Sequence, residues 1–106
     1  MKINISEVKL CIDQDLKGIK TVKCVATRLN VSSETLRKYF HRDEKISLSQ
    51  YILHRKLDMM KKLLVGSKCP CYWICYEVGL REDSGAKIFK KHFGKTMEEF
   101  RRVTVM

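Results

Sequence analysis

The sequence predicts an all-α fold of about seven helices, set in two small lobes joined by a long central helix. The 106 residues include one proline and five glycines, too few breakers for the frequent turns of a sandwich or barrel. Apolar residues recur at helical spacing along most of the chain. Residues 22–51 also lie over residues 71–100 at a constant offset of 49, with no gap. The repeat sets Val25-Ala26 over Ile74-Cys75, Asn30-Val31 over Gly79-Leu80, Lys38 over Lys87 and Phe40 over Phe89.

Each element has a local reason. A first helix, about residues 6–17, offers Val8, Cys11 or Ile12, and Leu16 to a core and ends at Lys17-Gly18. Thr21 can cap a second helix that carries Val22, Val25, Ala26 and Leu29 on one stripe. Asn30 then stands where the chain must turn. Asparagine tolerates the left-handed conformation, and its counterpart is Gly79. Ser32 can cap a third helix, to about residue 42, with Leu36, Tyr39 and Phe40 inward. The small Ala26 lets two helices cross closely, which makes the unit a helix-turn-helix. Ser47-x-x-Gln50 is a capping box opening a fourth helix, about residues 47–65 and roughly 27 Å long. Tyr51, Ile52, Leu57, Met60, Leu63 and Leu64 are available there for burial, and Gly66 ends it. Pro70 suits the first turn of a fifth helix. A sixth runs over about residues 83–93, and the box Thr96-x-x-Glu99 opens a short seventh. The expected organisation is one domain over 1–106: a first helix-turn-helix at 5–46, a linking helix at 47–66 and a second helix-turn-helix at 68–104.

A net charge of +10 points to a polyanionic partner, nucleic acid ahead of an anionic membrane. No apolar run is long enough for a membrane span, and the N-terminus has no long apolar segment of a signal peptide. The expected location is the cytoplasm. Five cysteines, an odd number, argue against a disulfide framework. On a helix Cys71 and Cys75 share a side, but zinc normally takes four ligands and no histidine stands nearby, so no metal is expected. Cys75 overlies Ala26 and reads as a buried small residue. His41, His54 and His92 are scattered, with no acid pair or activated nucleophile beside them, so no catalytic residue and no cofactor are expected.

The outer face of the third helix carries Ser33, Glu34, Arg37, Lys38, His41 and Arg42; that of the sixth carries Ser84, Lys87, Lys90 and Lys91. Basic residues opposite an apolar stripe suit a helix in a DNA major groove. Arg42, Lys45, Lys90, Lys91 and Lys95, with Ser33, His41 and the helix starts at Ser47 and Thr96, suit phosphates.

The stretches VSSETLRKYF and FKKHFGKTMEEFRR, with the spacing Tyr51…Lys56-Leu57…Leu63-Leu64, resemble the DNA-binding domain of AraC/XylS-type bacterial transcription regulators over about residues 21–102. The resemblance implies homeodomain-like three-helical lobes, sequence-specific binding of double-stranded promoter DNA, and activation through RNA polymerase. The isolated domain is expected as a monomer, nucleoid-associated when bound. Carried over by position, the base readers are Glu34, Arg37 and Lys38 in the first unit and Lys87, with Asp83 or Ser84, in the second. Lys45 stands where the family often has glycine, Lys56 where it often has arginine and Met97 where it often has proline. The span from Gly79 to Phe89 is one residue shorter than usual, so Gly85 overlies Leu36 and the second reading helix lacks a bulky inner residue. A weaker second unit is therefore expected. The competing reading is a helix-turn-helix protein used for protein contact, an adaptor or anti-activator that binds DNA only non-specifically.

Overall fold

The computed structural model describes residues 3–104. They form seven α-helices: α1 (Ile5–Gln14), α2 (Val22–Leu29), α3 (Ser33–Glu44), α4 (Leu48–Gly66), α5 (Cys71–Glu77), α6 (Glu82–Phe93) and α7 (Met97–Thr104). No strand occurs among the described residues. The chain divides into two compact units between Arg55 and Lys56, a boundary that falls within α4.

In the first unit α1 and α3 pack on α2, because their apolar stripes can be buried only against one another. Val8, Ile12, Val25, Leu36 and Phe40 are fully buried. Ile12, not Cys11, fills the core position of α1; Cys11 stays half-buried. Two boundaries differ from the sequence reading. Helix α1 starts earlier, because the Asn4 side chain accepts from the backbone N–H groups of Ser6 and Glu7. It also stops at Gln14, three residues before the expected Lys17. The Asp15 carboxylate takes the Gly18 N–H (3.1 Å) and turns the chain there, as aspartate side chains do when they compete with helix hydrogen bonds. Thr21 occupies the N-cap of α2, but its hydroxyl accepts no helix N–H. It lies 3.5 Å from the Cys24 Sγ instead.

The second unit repeats the plan with α5, α6 and α7 against the second half of α4. Phe89 and Phe100 meet edge to face with ring centroids 5.5 Å apart, and their counterparts Phe40 and Tyr51 meet at 5.2 Å with the rings tilted by 58°. Both turns are left-handed, at Asn30 (φ 57°) and Gly79 (φ 77°). Each turn is closed by an equivalent bond, Val31 N–H to the Ala26 carbonyl (3.0 Å) and Leu80 N–H to the Cys75 carbonyl (2.9 Å). Cys75 is buried, as its place over Ala26 implies, and burial raises its thiol pKa.

Two contacts of this unit were not visible in the sequence. Lys56 is only 3% exposed, and its Nζ donates to the Val78 carbonyl at the end of α5 (2.7 Å). Gly85 is buried against α5: a Cβ there would meet the Cys75 Sγ at 2.7 Å. The missing bulk at Gly85 is thus the space the Cys75 side chain takes. The first unit carries alanine and leucine at these two repeat positions; the second carries cysteine and glycine.

Candidate nucleic-acid interface

Helix α3 is built to present one face to solvent. The Ser32 Oγ accepts the Thr35 N–H (3.2 Å) and fixes the start. Leu36 and Phe40 then anchor the inner side, so residues offset from them must point outward. Glu34, Arg37, Lys38, His41 and Arg42 are all exposed, and Ser33 is half-buried. Glu34, Arg37, Lys38 and His41 follow i, i+3, i+4, i+7 spacing and share one strip of surface. Arg42 is turned partly away from that strip. Its guanidinium stands 4.6 Å from the Tyr39 ring centroid, which holds its orientation and leaves Tyr39 half-buried rather than in the core.

On α6, Phe89 and the buried Gly85 mark the inner side, and Ser84, Lys87, Lys90 and Lys91 are exposed. Asp83 at its start is exposed as well; its Oδ1 accepts the Ser84 N–H (2.8 Å) and lies 3.7 Å from the Arg81 Nε. Beyond it the outward groups are Ser84 and the lysines. All are flexible or short, whereas α3 offers a guanidinium fork.

The expected phosphate groups divide by chemistry. Lys45 and Lys95 are exposed just past the reading helices. Ser47 and Thr96 are half-buried at the starts of α4 and α7; the first sits in a reciprocal capping box, while the second caps its helix by accepting the Glu99 N–H (3.1 Å). At α4 the Gln50 N–H donates to the Ser47 Oγ (3.1 Å) and the Ser47 N–H to the Gln50 Oε1 (3.4 Å). No acid stands in that first turn. At α7 the Thr96 hydroxyl donates to the Glu99 carboxylate (3.1 Å), with Glu98 beside it. The helix dipole that would attract a phosphate is thus matched by acids at α7 and left open at α4.

The sequence reading missed a hydroxyl-rich hollow of about 520 Å³ beside the start of α3, lined by Ala26, Thr27, Asn30, Val31, Ser32 and Thr35. Thr27 and Thr35 flank the turn, and no pattern of charge or periodicity marked them. Among the described residues no group of three or more histidines, cysteines or acids could hold a metal ion. Nor is any helix long and apolar enough to cross a membrane.

A family model described as a helix-turn-helix domain matches residues 25–103, both turns and both outward helices included. The chain belongs to the AraC-type helix-turn-helix family. This is a family of DNA-binding transcription regulators, not of enzymes. A regulatory protein of the Msm operon from Streptococcus mutans is 29% identical over 102 residues, 95% of this chain. The chain spans 37% of that relative's length. The DNA-binding domain of AdpA, solved with a target DNA, has a TM-score of 0.87 at 16% identity, covering 96% of this chain and 93% of that one. The C-terminal domain of AraT, a response regulator from Geobacillus stearothermophilus, has a TM-score of 0.86 at 21% identity, covering 96% and 85%. These two likenesses show the fold of the AraC-type chain; the family match shows its class.

Proposed function

We propose that this AraC-type chain binds specific sequences in double-stranded promoter DNA, with α3 and α6 each entering a major groove. Glu34, Arg37 and Lys38 read bases in one groove. Lys87, with Ser84, reads in the next, about 34 Å along the duplex. Ser33, His41, Arg42, Lys45, Ser47, Lys90, Lys91, Lys95 and Thr96 hold phosphates. Bound as a monomer, it activates transcription through RNA polymerase. The observation that supports this reading is the exposed basic face of α3 repeated, at matched positions, on α6.

The two helices contribute unequally. Arg37 can bond guanine O6 and N7 together, which is worth about 1–3 kcal/mol of discrimination, while Lys87 acts as a point charge. Selection of bound sites from random duplexes tests this directly. The expected result is two half-sites one helical turn apart, the half-site lost in Arg37→Ala being the sharper. Enrichment of no sequence at all would favour the adaptor reading, with non-specific DNA binding. Equal loss of specific affinity in Arg37→Ala and Lys87→Ala would remove the inequality.

A further inference from the structure

Outside α3 and α6, the second unit carries a cleft of about 580 Å³ between the end of α4 and α7. We propose that this cleft docks a short peptide segment of a partner protein, one that carries an apolar anchor flanked by carboxylates.

Three observations point to that occupant. First, the lining is mixed in a particular way. The half-exposed Val65 and the bare Gly66 backbone form an apolar floor over the buried Leu64, and Lys68, Arg101 and Arg102 stand around it with no acid among the lining residues. A phosphate backbone has no use for an apolar floor, whereas an apolar side chain with acidic neighbours complements both parts. Second, the wall is pre-set. The Arg101 Nε donates to the Leu64 carbonyl (3.0 Å), and its Nη2 donates to the carbonyls of Ser67 (3.3 Å) and Cys69 (2.6 Å). One guanidinium thus ties the end of α4 and the following loop to α7, so little ordering cost remains for a ligand. Lys68 and Arg102 stay exposed to meet carboxylates. Third, Gly66 leaves the floor bare. A Cβ there would meet nothing within 4 Å, and its backbone is not left-handed, so neither packing nor the turn requires glycine. Bare backbone of this kind permits close approach from outside. The volume lies within the range of about 300–1,000 Å³ typical of small-ligand sites, which suits a segment rather than a domain.

The proposal is independent of the DNA-binding reading, and its test is run on protein saturated with duplex so that the basic reading faces are covered. The probe is a short fluorescein-labelled peptide of leucine and glutamate; the control replaces glutamate by glutamine. Binding is read by anisotropy and mapped by amide chemical shifts in the nitrogen-15-labelled protein. The expected result is shifts centred on residues 64–68 and 101–102. Affinity should drop about tenfold in Gly66→Leu, which fills the floor, and in Arg102→Glu. DNA affinity should be unchanged in both variants. Equal binding of the glutamine control, or shifts that map to α3 and α6, would overturn the proposal. So would Arg102→Glu weakening DNA instead of peptide, which would make the cleft a phosphate site.

Discussion

Lysine at position 45 carries a backbone that suits glycine. It caps α3 at φ 64°, and its repeat counterpart is Gly94 at φ 72°. A left-handed non-glycine residue costs roughly 1–2 kcal/mol. Lys45→Gly should therefore raise stability by about 1 kcal/mol in urea unfolding. If Lys45 also holds a phosphate, the same variant loses DNA affinity, so stability and binding move in opposite directions. A variant no more stable than the parent would show that the strain is absorbed elsewhere.

Cys24 is a second residue whose behaviour follows from one neighbour. The Thr21 hydroxyl beside its sulfur, with the backbone groups of Lys20 and Thr21 just before α2, lowers its pKa from 9.0 to about 7. Because the folded value is the lower one, this thiol favours folding fully above its unfolded pKa. The contribution fades as pH falls through about 7. Alkylation by iodoacetamide, followed by peptide mass mapping, should modify Cys24 first, with a rate that climbs through pH about 7. Cys75, buried and raised, should react only on unfolding. Thr21→Val should slow Cys24 labelling at neutral pH; no change would remove the hydroxyl as the cause.

At the scale of elements, the pair of helix crossings shows how one plan tolerates two sequences. Gly85→Ala would place a methyl 2.7 Å from the Cys75 Sγ, a buried and short side chain with little room to move. Overpacking of this kind typically costs about 1–3 kcal/mol. Cys75→Ala should relieve it, and the alanine at 85 then adds helix propensity of about 1 kcal/mol. The double variant should be more stable than Gly85→Ala alone. Additive losses across the four proteins would show that the two positions are not coupled. Trp73, the single tryptophan, lies on α5 and reports this unit by fluorescence.

The buried ammonium of Lys56 is another device at this scale. It satisfies a carbonyl at the end of α5, where partial negative charge collects. Lys56→Met should destabilise by about 2 kcal/mol, since hydrogen bonds to charged groups are worth about 1.5–3 kcal/mol. A neutral outcome in thermal unfolding would mean that an apolar side chain serves equally well there.

The helices and both hydroxyl caps at Ser47 and Thr96 were legible because each rests on residues three or four apart, and the repeat because residue character matches at a constant offset of 49. The Thr21 cap was misread for a related reason. A hydroxyl at an N-cap has more than one partner in reach, and the local pattern does not say that the Cys24 sulfur is the one it meets. The outward faces of α3 and α6 were legible too, since burial of Phe40 and Phe89 dictates what points away from them. The hollow lined by Thr27 and Thr35 was not, because uncharged hydroxyls leave no mark in a charge pattern.

For the molecule as a whole, charge is the dominant fact. The 22 basic and 12 acidic residues divide equally between the two units, so neither carries the electrostatics alone. Binding should therefore be strongly salt-dependent. With about 6–10 phosphate contacts, affinity should fall about a thousandfold or more between roughly 50 and 200 mM salt. A shallow slope would mean that few of the residues proposed to hold phosphates touch DNA. Thr96→Lys should steepen the slope, whereas Thr96→Ala should cost about 1 kcal/mol of stability through the lost cap.

By itself the sequence determined the helical class, the doubled helix-turn-helix plan and the basic outward faces. These follow from periodicity, capping and charge, which act between near neighbours along the chain. The tertiary structure alone decided what each unusual side chain is for. It set Lys56 against Val78, opened Gly85 to Cys75 and drew Arg101 onto the carbonyls of Leu64, Ser67 and Cys69. Each of those pairings joins residues on different elements, at least ten apart in sequence, and only the packing of helix on helix brings together the side chains that share one space and the polar groups that satisfy one another.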